Sequence, residues 1–308
     1  KFLKKEGVVK GDRVAAYMPN MPETVMMMLA ASSVGAIFSS ASPDFGVEGV
    51  LDRFGQIEPK ILLTTDGYWY NGKAVNIINK VLDVVKALPS LQKVAITPLL
   101  GIETQYNSNK FVDYTSILEE YSTKVMSFEP LSLDDPLYIM FSSGTTGKPK
   151  GAQLTHRGCV NNVFSSLFSS LSQMTAQALV EGKEPPTPGQ RQTSAIIATP
   201  LFHVTANNAV AQVLTVTGGK LVHTYKWDAG EALKIIEEEK ITNFAGVPVM
   251  AREIINHQDF STRDTSSLQV LGGGGAAVQP DLTEKVMKSE GNAMPAQGYG
   301  LTETCGIV

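Results

Sequence analysis

The sequence predicts an α/β fold, with parallel-rich sheets flanked by helices. Short apolar runs alternate with helix-length amphipathic stretches along most of the chain, and the runs are continuously apolar, as strands covered on both faces are. The intervening segments suit crossover helices joining parallel strands.

Residues 14–17 form the first apolar run and predict the first strand. A helix opens at Pro22-Glu23 and continues to Ser33, with proline in its first turn and Gly35 past its end. Residues 37–39 read as the next strand, 47–57 as a helix stopped before Pro59, and 60–64 as a strand. Residues 94–97 and 137–141 continue the series. In the later half, strands are expected at 195–199, 220–224, 243–246 and 269–271, separated by helices such as 231–239. The polar stretch 101–110 and the proline-rich stretch 181–192 read as exposed loops. There is no internal repeat and no linker that divides two domains.

Composition narrows the function. The chain is 43% hydrophobic and 18% charged with a net charge of -4, which argues against nucleic acid as the main partner, because a phosphate backbone calls for a basic face. No apolar stretch is long and clean enough to span a bilayer, and the opening Lys1-Phe2-Leu3-Lys4-Lys5 leads into no signal-peptide run. A cytoplasmic location, or an organelle matrix, is the default. Cys159 and Cys305 are the only cysteines, without metal-ligand spacing, so neither a disulfide framework nor a cysteine zinc site is expected.

The segment "FSSGTTGKPKG", residues 141–151, follows a buried strand and carries what a polyphosphate needs. Gly144, Gly147 and Gly151 let the backbone approach an anion, Ser142, Ser143, Thr145 and Thr146 offer hydroxyls, and Lys148 and Lys150 bring charge. A helix is expected from Thr155, its N-terminus near enough to add partial positive charge. The P-loop pattern fails here: Ser142 replaces its first glycine and Pro149 stands where its metal-binding hydroxyl belongs. A flexible linker is the plainer alternative, and the apolar strand leading in argues against it.

Taken whole, "YIMFSSGTTGKPKGAQLTH" resembles the phosphate-loop signature of the adenylate-forming superfamily, which includes acyl-CoA synthetases, peptide-synthetase adenylation domains and luciferases. Downstream, "QGYGLTETCG", residues 297–306, resembles its second signature. Between them "PLFHV", residues 200–204, resembles the segment beside the carboxylate pocket, and "GGGGAA", residues 272–277, the glycine-rich stretch along adenine and acyl group. "GDRVAAYMPN", residues 11–20, resembles the first core strand.

The resemblance implies an enzyme that joins a small-molecule carboxylate to ATP, releasing pyrophosphate, and passes the acyl group to coenzyme A. It implies Thr145 with Ser142, Ser143, Gly144, Thr146 and Gly147 around the β- and γ-phosphates, Lys148 and Lys150 in support, and Glu303 with Thr145 on Mg2+. Gly274, Gly275, Ala276 and Gly300 would border the nucleotide, Thr302 would donate to the α-phosphate, Tyr299 would stack on adenine, and His203 would gate the carboxylate pocket. Each has a plainer alternative: Glu303 as a helix-start carboxylate, His203 as a hydrogen-bonded core histidine, Cys305 as a small wall residue rather than a nucleophile.

The resemblance is uneven. "SSASPDFGVEGVLDRFGQIEPKILLTTDGYWYNGK", residues 39–73, looks like acetoacetyl-CoA synthetases and their acetyl-CoA relatives, whereas "GKPKGAQLTHRG" and "TPLFHVTANN" look like fatty-acid or general acyl-CoA ligases. A fatty acid is therefore the first expectation for the substrate and a short β-keto acid the second. An inactive nucleotide-binding fragment and a peptide-synthetase adenylation module remain as rivals. The chain opens without methionine and stops straight after the second signature, so residues 1–308 are expected to form an incomplete N-terminal AMP-binding domain, poorly active or inactive, with the small C-terminal domain absent.

Overall fold

The computed structural model describes residues 1–103, 106, 108–121, 125–142, 147–185, 187, 192–289 and 293–307. The chain packs as two compact units, Lys1–Arg157 and Gly158–Val308.

The first unit opens with a short helix α1 (Phe2–Lys5) and strand β1 (Arg13–Tyr17), whose Val14, Ala15, Ala16 and Tyr17 are wholly buried, as a central strand requires. Helix α2 (Pro22–Ser33) carries proline at its start, and Gly35 beyond it has φ +73°. Strand β2 (Ile37–Ala41) leads to α3 (Val47–Ile57), which buries Val50, Phe54 and Ile57 along one stripe and ends at Glu58 in a left-handed turn before Pro59.

Strand β3 (Ile61–Thr65) is followed by a hairpin that the sequence pattern did not suggest, β4 (Gly67–Tyr70) and β5 (Lys73–Asn76). Its Asn71-Gly72 turn has positive φ at both residues, the geometry that matches the twist of flanking strands. Then come α4 (Ile78–Ala87), β6 (Lys93–Thr97), β7 (Phe111–Asp113), α5 (Tyr114–Glu120), β8 (Pro136–Ser142) and β9 (Lys150–Thr155). The sheet order is β7-β6-β3-β1-β2-β8-β9, parallel throughout except for the β8–β9 pair. Val50, Phe54, Leu62, Val81, Val84 and Val94 pack together as its core.

Helix α6 (His156–Val180) runs across the boundary between the units. The second unit continues with β10 (Ser194–Ile197), a helical segment of α7 (Val204–Ala206), a π-turn (Asn207–Ala211) and α8 (Gln212–Thr217), and then β11 (Lys220–His223). Asp228 caps α9 (Ala229–Glu239) by accepting the Glu231 N–H at 2.9 Å. Strand β12 (Asn243–Gly246), α10 (Pro248–Asn256), β13 (Val270–Gly274), α11 (Pro280–Lys288) and β14 (Met294–Gly298) complete an all-parallel sheet of order β11-β10-β12-β13-β14. Its core holds Ile196, Leu233, Ile236, Phe244, Ile254 and Leu271. The chain closes on a small antiparallel pair, β15 (Gly300–Leu301) and β16 (Gly306–Ile307), around a 3-10 turn at Thr302–Thr304. Among the described residues no helix is long and apolar enough to cross a membrane.

Candidate active site

In the first unit, the glycine-and-hydroxyl segment lies in sequence between the paired strands β8 and β9, where Ser142 pairs with Lys150 at the last rung. Ser143, Gly144, Thr145 and Thr146 lie outside the described residues. Gly147 has φ +91° with open space where a side chain would stand, as a tight turn requires. The Pro149 carbonyl accepts from Gln56 Nε2 at 3.0 Å and ties the returning strand to α3. Lys148 and Lys150 are exposed and make no ion pair with the described residues, which leaves two ammonium groups at the stem of the loop.

Two expectations need correction. The helix begins at His156, next to the expected Thr155, but β9 separates it from the loop: its six residues, at about 3.4 Å each, put the α6 N-terminus roughly 17–20 Å along the chain from the loop. A helix dipole fades within its first turn, so it adds nothing there. Gly151 is also no approach point for an anion: a Cβ there would meet Ile139 Cγ2 at 2.9 Å and Phe141 Cε1 at 3.1 Å, so glycine is demanded by cross-strand packing.

In the second unit all five strands of the sheet run the same way, so their carboxyl ends share one edge, where ligands of open α/β sheets bind. Three predicted segments emerge there. His203 follows β10, Gly274 ends β13 with Gly275 and Ala276 after it, and Tyr299 follows β14.

The His203 Nδ1 accepts the Thr205 N–H at 3.2 Å and so caps the short helix after it. The proton of the neutral ring therefore sits on Nε2, free to donate. Although the residue surface is open, the ring loses hydration against its surroundings, which pushes its pKa below the ordinary value. Just beyond, the π-turn carries Asn207 and Asn208, 2% and 0% exposed. Sequence reasoning missed this polar pair; its one signal was two adjacent amides inside an apolar run. Turns of this kind concentrate at functional positions.

The four-glycine run is two things at once. A Cβ on Gly272 would stand 2.0 Å from the Ala296 carbonyl oxygen, and one on Gly273 would stand 1.8 Å from that of Gly246. These glycines let neighbouring strands close up. Gly274 meets the Gly298 oxygen at 2.6 Å in the same way, whereas Gly275, with φ +79° and open space around it, makes the turn.

Tyr299 is 69% exposed. After it, Gly300 pairs with Ile307 and Leu301 with Gly306, and the intervening turn presents Glu303 to solvent without a hydrogen bond or ion pair to the described residues. Thr302, half-buried, accepts the Cys305 N–H on its carbonyl at 3.2 Å. Burial raises the Cys305 pKa, which suits a wall residue and not a nucleophile.

Comparison with known proteins agrees with the α/β fold. An acetoacetyl-CoA synthetase structure from Streptomyces lividans superposes with a TM-score of 0.83 and 26% identity, covering 99% of this chain and 45% of that one. The acetoacetyl-coenzyme A synthetase of Rhizobium meliloti is 49% identical over 150 residues, and the acetoacetyl-CoA synthetase of Macaca fascicularis 46% identical over 154; each match covers 48% of this chain and 23% of the relative. The stretch that matches thus spans only about a quarter of the length of these curated relatives. Parallel sheets flanked by helices place it in the N-terminal domain of the adenylate-forming fold. Residues 1–308 match the AMP-binding enzyme family along their whole length, and the chain belongs to that family.

Proposed function

We propose that the chain is part of an ATP-dependent acid–thiol ligase that activates a short β-keto acid, acetoacetate, as its acyl-adenylate and hands the acyl group to coenzyme A. The observation that carries this reading is the shared edge of the second sheet, where His203, Gly274 to Ala276 and Tyr299 leave the carboxyl ends of β10, β13 and β14. Of the two substrate readings, the acetoacetyl-CoA synthetase relatives favour the β-keto acid over the fatty acid.

Joining a carboxylate to the α-phosphate brings two anions together, so cationic groups and aligned donors are needed. In this reading Lys148, Lys150 and the loop from Ser142 through Thr145 hold the β- and γ-phosphates. Tyr299 offers a face to adenine, the backbone from Gly274 to Ala276 borders the nucleotide, and Thr302 donates to the α-phosphate. His203 guards the carboxylate side with a neutral ring whose Nε2–H can donate. Among the described residues no three His, Cys, Asp or Glu side chains converge as a metal nest. That suits Mg2+, which is commonly held by one or two carboxylates together with phosphate oxygens. Glu303, exposed and without an ion-pair partner among the described residues, is the fitting carboxylate. When bound, the ion would spread the phosphate charge. We read the location as cytoplasmic, which the two free thiols support.

The test is acetoacetate-dependent pyrophosphate–ATP exchange by the full-length protein. Exchange is expected with acetoacetate, with a fall of about a hundredfold in Glu303→Ala. Exchange that responds to fatty acids and ignores acetoacetate would overturn the substrate, and undiminished exchange in Glu303→Ala would remove that residue from the ion.

A further inference from the structure

Between α7 and α8 the helix holds one residue more than a regular turn. Over Asn207–Ala211 the Gln212 N–H reaches back five residues to the Asn207 carbonyl. In a regular α-helix residues five apart stand about 140° apart around the axis, and their side chains diverge. The wider turn closes that angle, and Gln212 Nε2 also donates to Asn207 Oδ1 at 3.2 Å. Gln212 thus grips Asn207 twice, through backbone and side chain.

Asn207 passes that hold to the segment leaving β10. Its Nδ2 donates to the Leu201 carbonyl at 3.2 Å, and its backbone N–H donates to the His203 carbonyl at 3.1 Å. The His203 N–H in turn donates to the Pro200 carbonyl at 2.9 Å. The main chain is therefore held on both sides of Phe202 by one residue, while Thr205 holds the His203 ring at Nδ1. Asn207 is 2% exposed, so both ends of its amide need partners inside the protein, and both have them. Its helical neighbours Val204, Ala206, Val210 and Ala211 are apolar and buried. An alanine or leucine among them would favour the helix more and bury no polar group. What the asparagine adds is a fixed path for residues 201–203, which belong to no strand.

On the reading that His203 guards the carboxylate side of the site, we propose that Asn207 is its positioning residue, and that the relay Gln212–Asn207–Leu201 fixes where the ring presents Nε2 to the acid. A donor aimed at a substrate has to keep its place to a fraction of an ångström, and a segment that has just left a strand end has no sheet ladder to keep it there. Asn207 acts through His203 and needs no contact with substrate.

The test compares the Michaelis constants of wild-type and Asn207→Ala full-length protein in acid-dependent pyrophosphate–ATP exchange. The acetoacetate KM is expected to rise about tenfold while the ATP KM stays within about twofold. A variant that merely folds less well contains fewer active molecules, which lowers the apparent kcat and moves neither KM. Gln212→Ala removes only the side-chain donor to Asn207 Oδ1 and should raise the acid KM by a smaller factor, about threefold. It decides the matter should Asn207→Ala not fold. An acid KM equal to that of the wild type in the folded variant, or both KM values raised alike, would overturn the proposal. Failure of the functional reading looks different. A wild type that exchanges with fatty acids alone changes only the acid used in the comparison, and one that exchanges with none leaves the His203 imidazole to decide by NMR. Its midpoint, held below the ordinary value by lost hydration, should rise toward about 6.5 in Asn207→Ala as the ring regains water. In that case an unmoved midpoint would overturn the proposal.

Discussion

The Asp66 carboxylate receives the backbone N–H of Ile102 at 2.8 Å, and with it those of Leu99 and Leu100 at 2.9 Å. Lying at the end of β3 and only 2% exposed, it organises the chain that leaves β6. Burial pushes its pKa up, but the N–H groups of Leu100, Ile102 and Leu99 and the Thr65 hydroxyl outweigh that and hold it below the usual carboxylate range.

Asp66→Ala should therefore cost about 2–3 kcal/mol, because buried backbone donors lose their acceptor. The sign of the pH effect follows from the lowered pKa. The stabilisation is complete above the unfolded carboxylate value, about 3.9, and disappears as pH falls through the folded value. Urea midpoints measured across the acid range should drop more steeply for the wild type than for the variant. Parallel curves would mean that Asp66 is not ionised in the fold.

Much of the first unit was legible because pattern and punctuation agreed. The stretch from Val47 to Ile57 has an apolar stripe and a proline just beyond it, and the observed helix α3 has those bounds. Strand β9 was hidden: Gly151 replaces the side chain that would have shown alternation, since Ile139 and Phe141 already fill its space. The β4–β5 hairpin went unread: its Asn71-Gly72 pair is a favoured turn, but its strands are four residues each and lie between stronger patterns. The unit boundary left no compositional trace because a helix runs across it. At the site, the positions after strand ends were readable, whereas a glycine that admits a ligand and one that admits a neighbouring strand look alike in one sequence.

His203 supplies a second pH test. Its ring holds a proton less tightly than an unfolded histidine, so its cap on Thr205 is fully present above about 6.5 and is lost as pH falls through the folded value. His203→Leu should cost about 1 kcal/mol, and His203→Asn, which can still accept from the helix start, much less. NMR titration of the imidazole should give a midpoint below the ordinary one. A raised midpoint would mean that a carboxylate, and not desolvation, governs the ring.

The lysines at the hairpin stem should be felt as charge and not as fold. Lys148→Ala with Lys150→Ala is expected to leave the unfolding midpoint nearly unchanged, because both side chains are exposed and unpaired among the described residues. ATP affinity should fall about tenfold or more, with a weaker dependence on salt. Calorimetry at two ionic strengths measures both. Unchanged affinity would release the loop from the phosphates.

The two kinds of glycine near β13 can be separated by one methyl group each. In Gly273→Ala the new carbon would stand 1.8 Å from the Gly246 oxygen, a backbone atom in the paired strand that cannot swing aside, so β12 and β13 must part. The loss should reach several kcal/mol and appear first as lower soluble yield. Gly275→Ala meets open space, and its difficulty is φ +79° alone, worth about 1–2 kcal/mol. That variant should stay folded. Any loss of ATP affinity in it then reports on the turn itself, so folded Gly275→Ala protein with wild-type affinity would exclude this backbone from nucleotide contact. If Gly273→Ala proved as stable as the wild type, the close strand pairing would be wrong, and the glycine run would need a ligand to explain it.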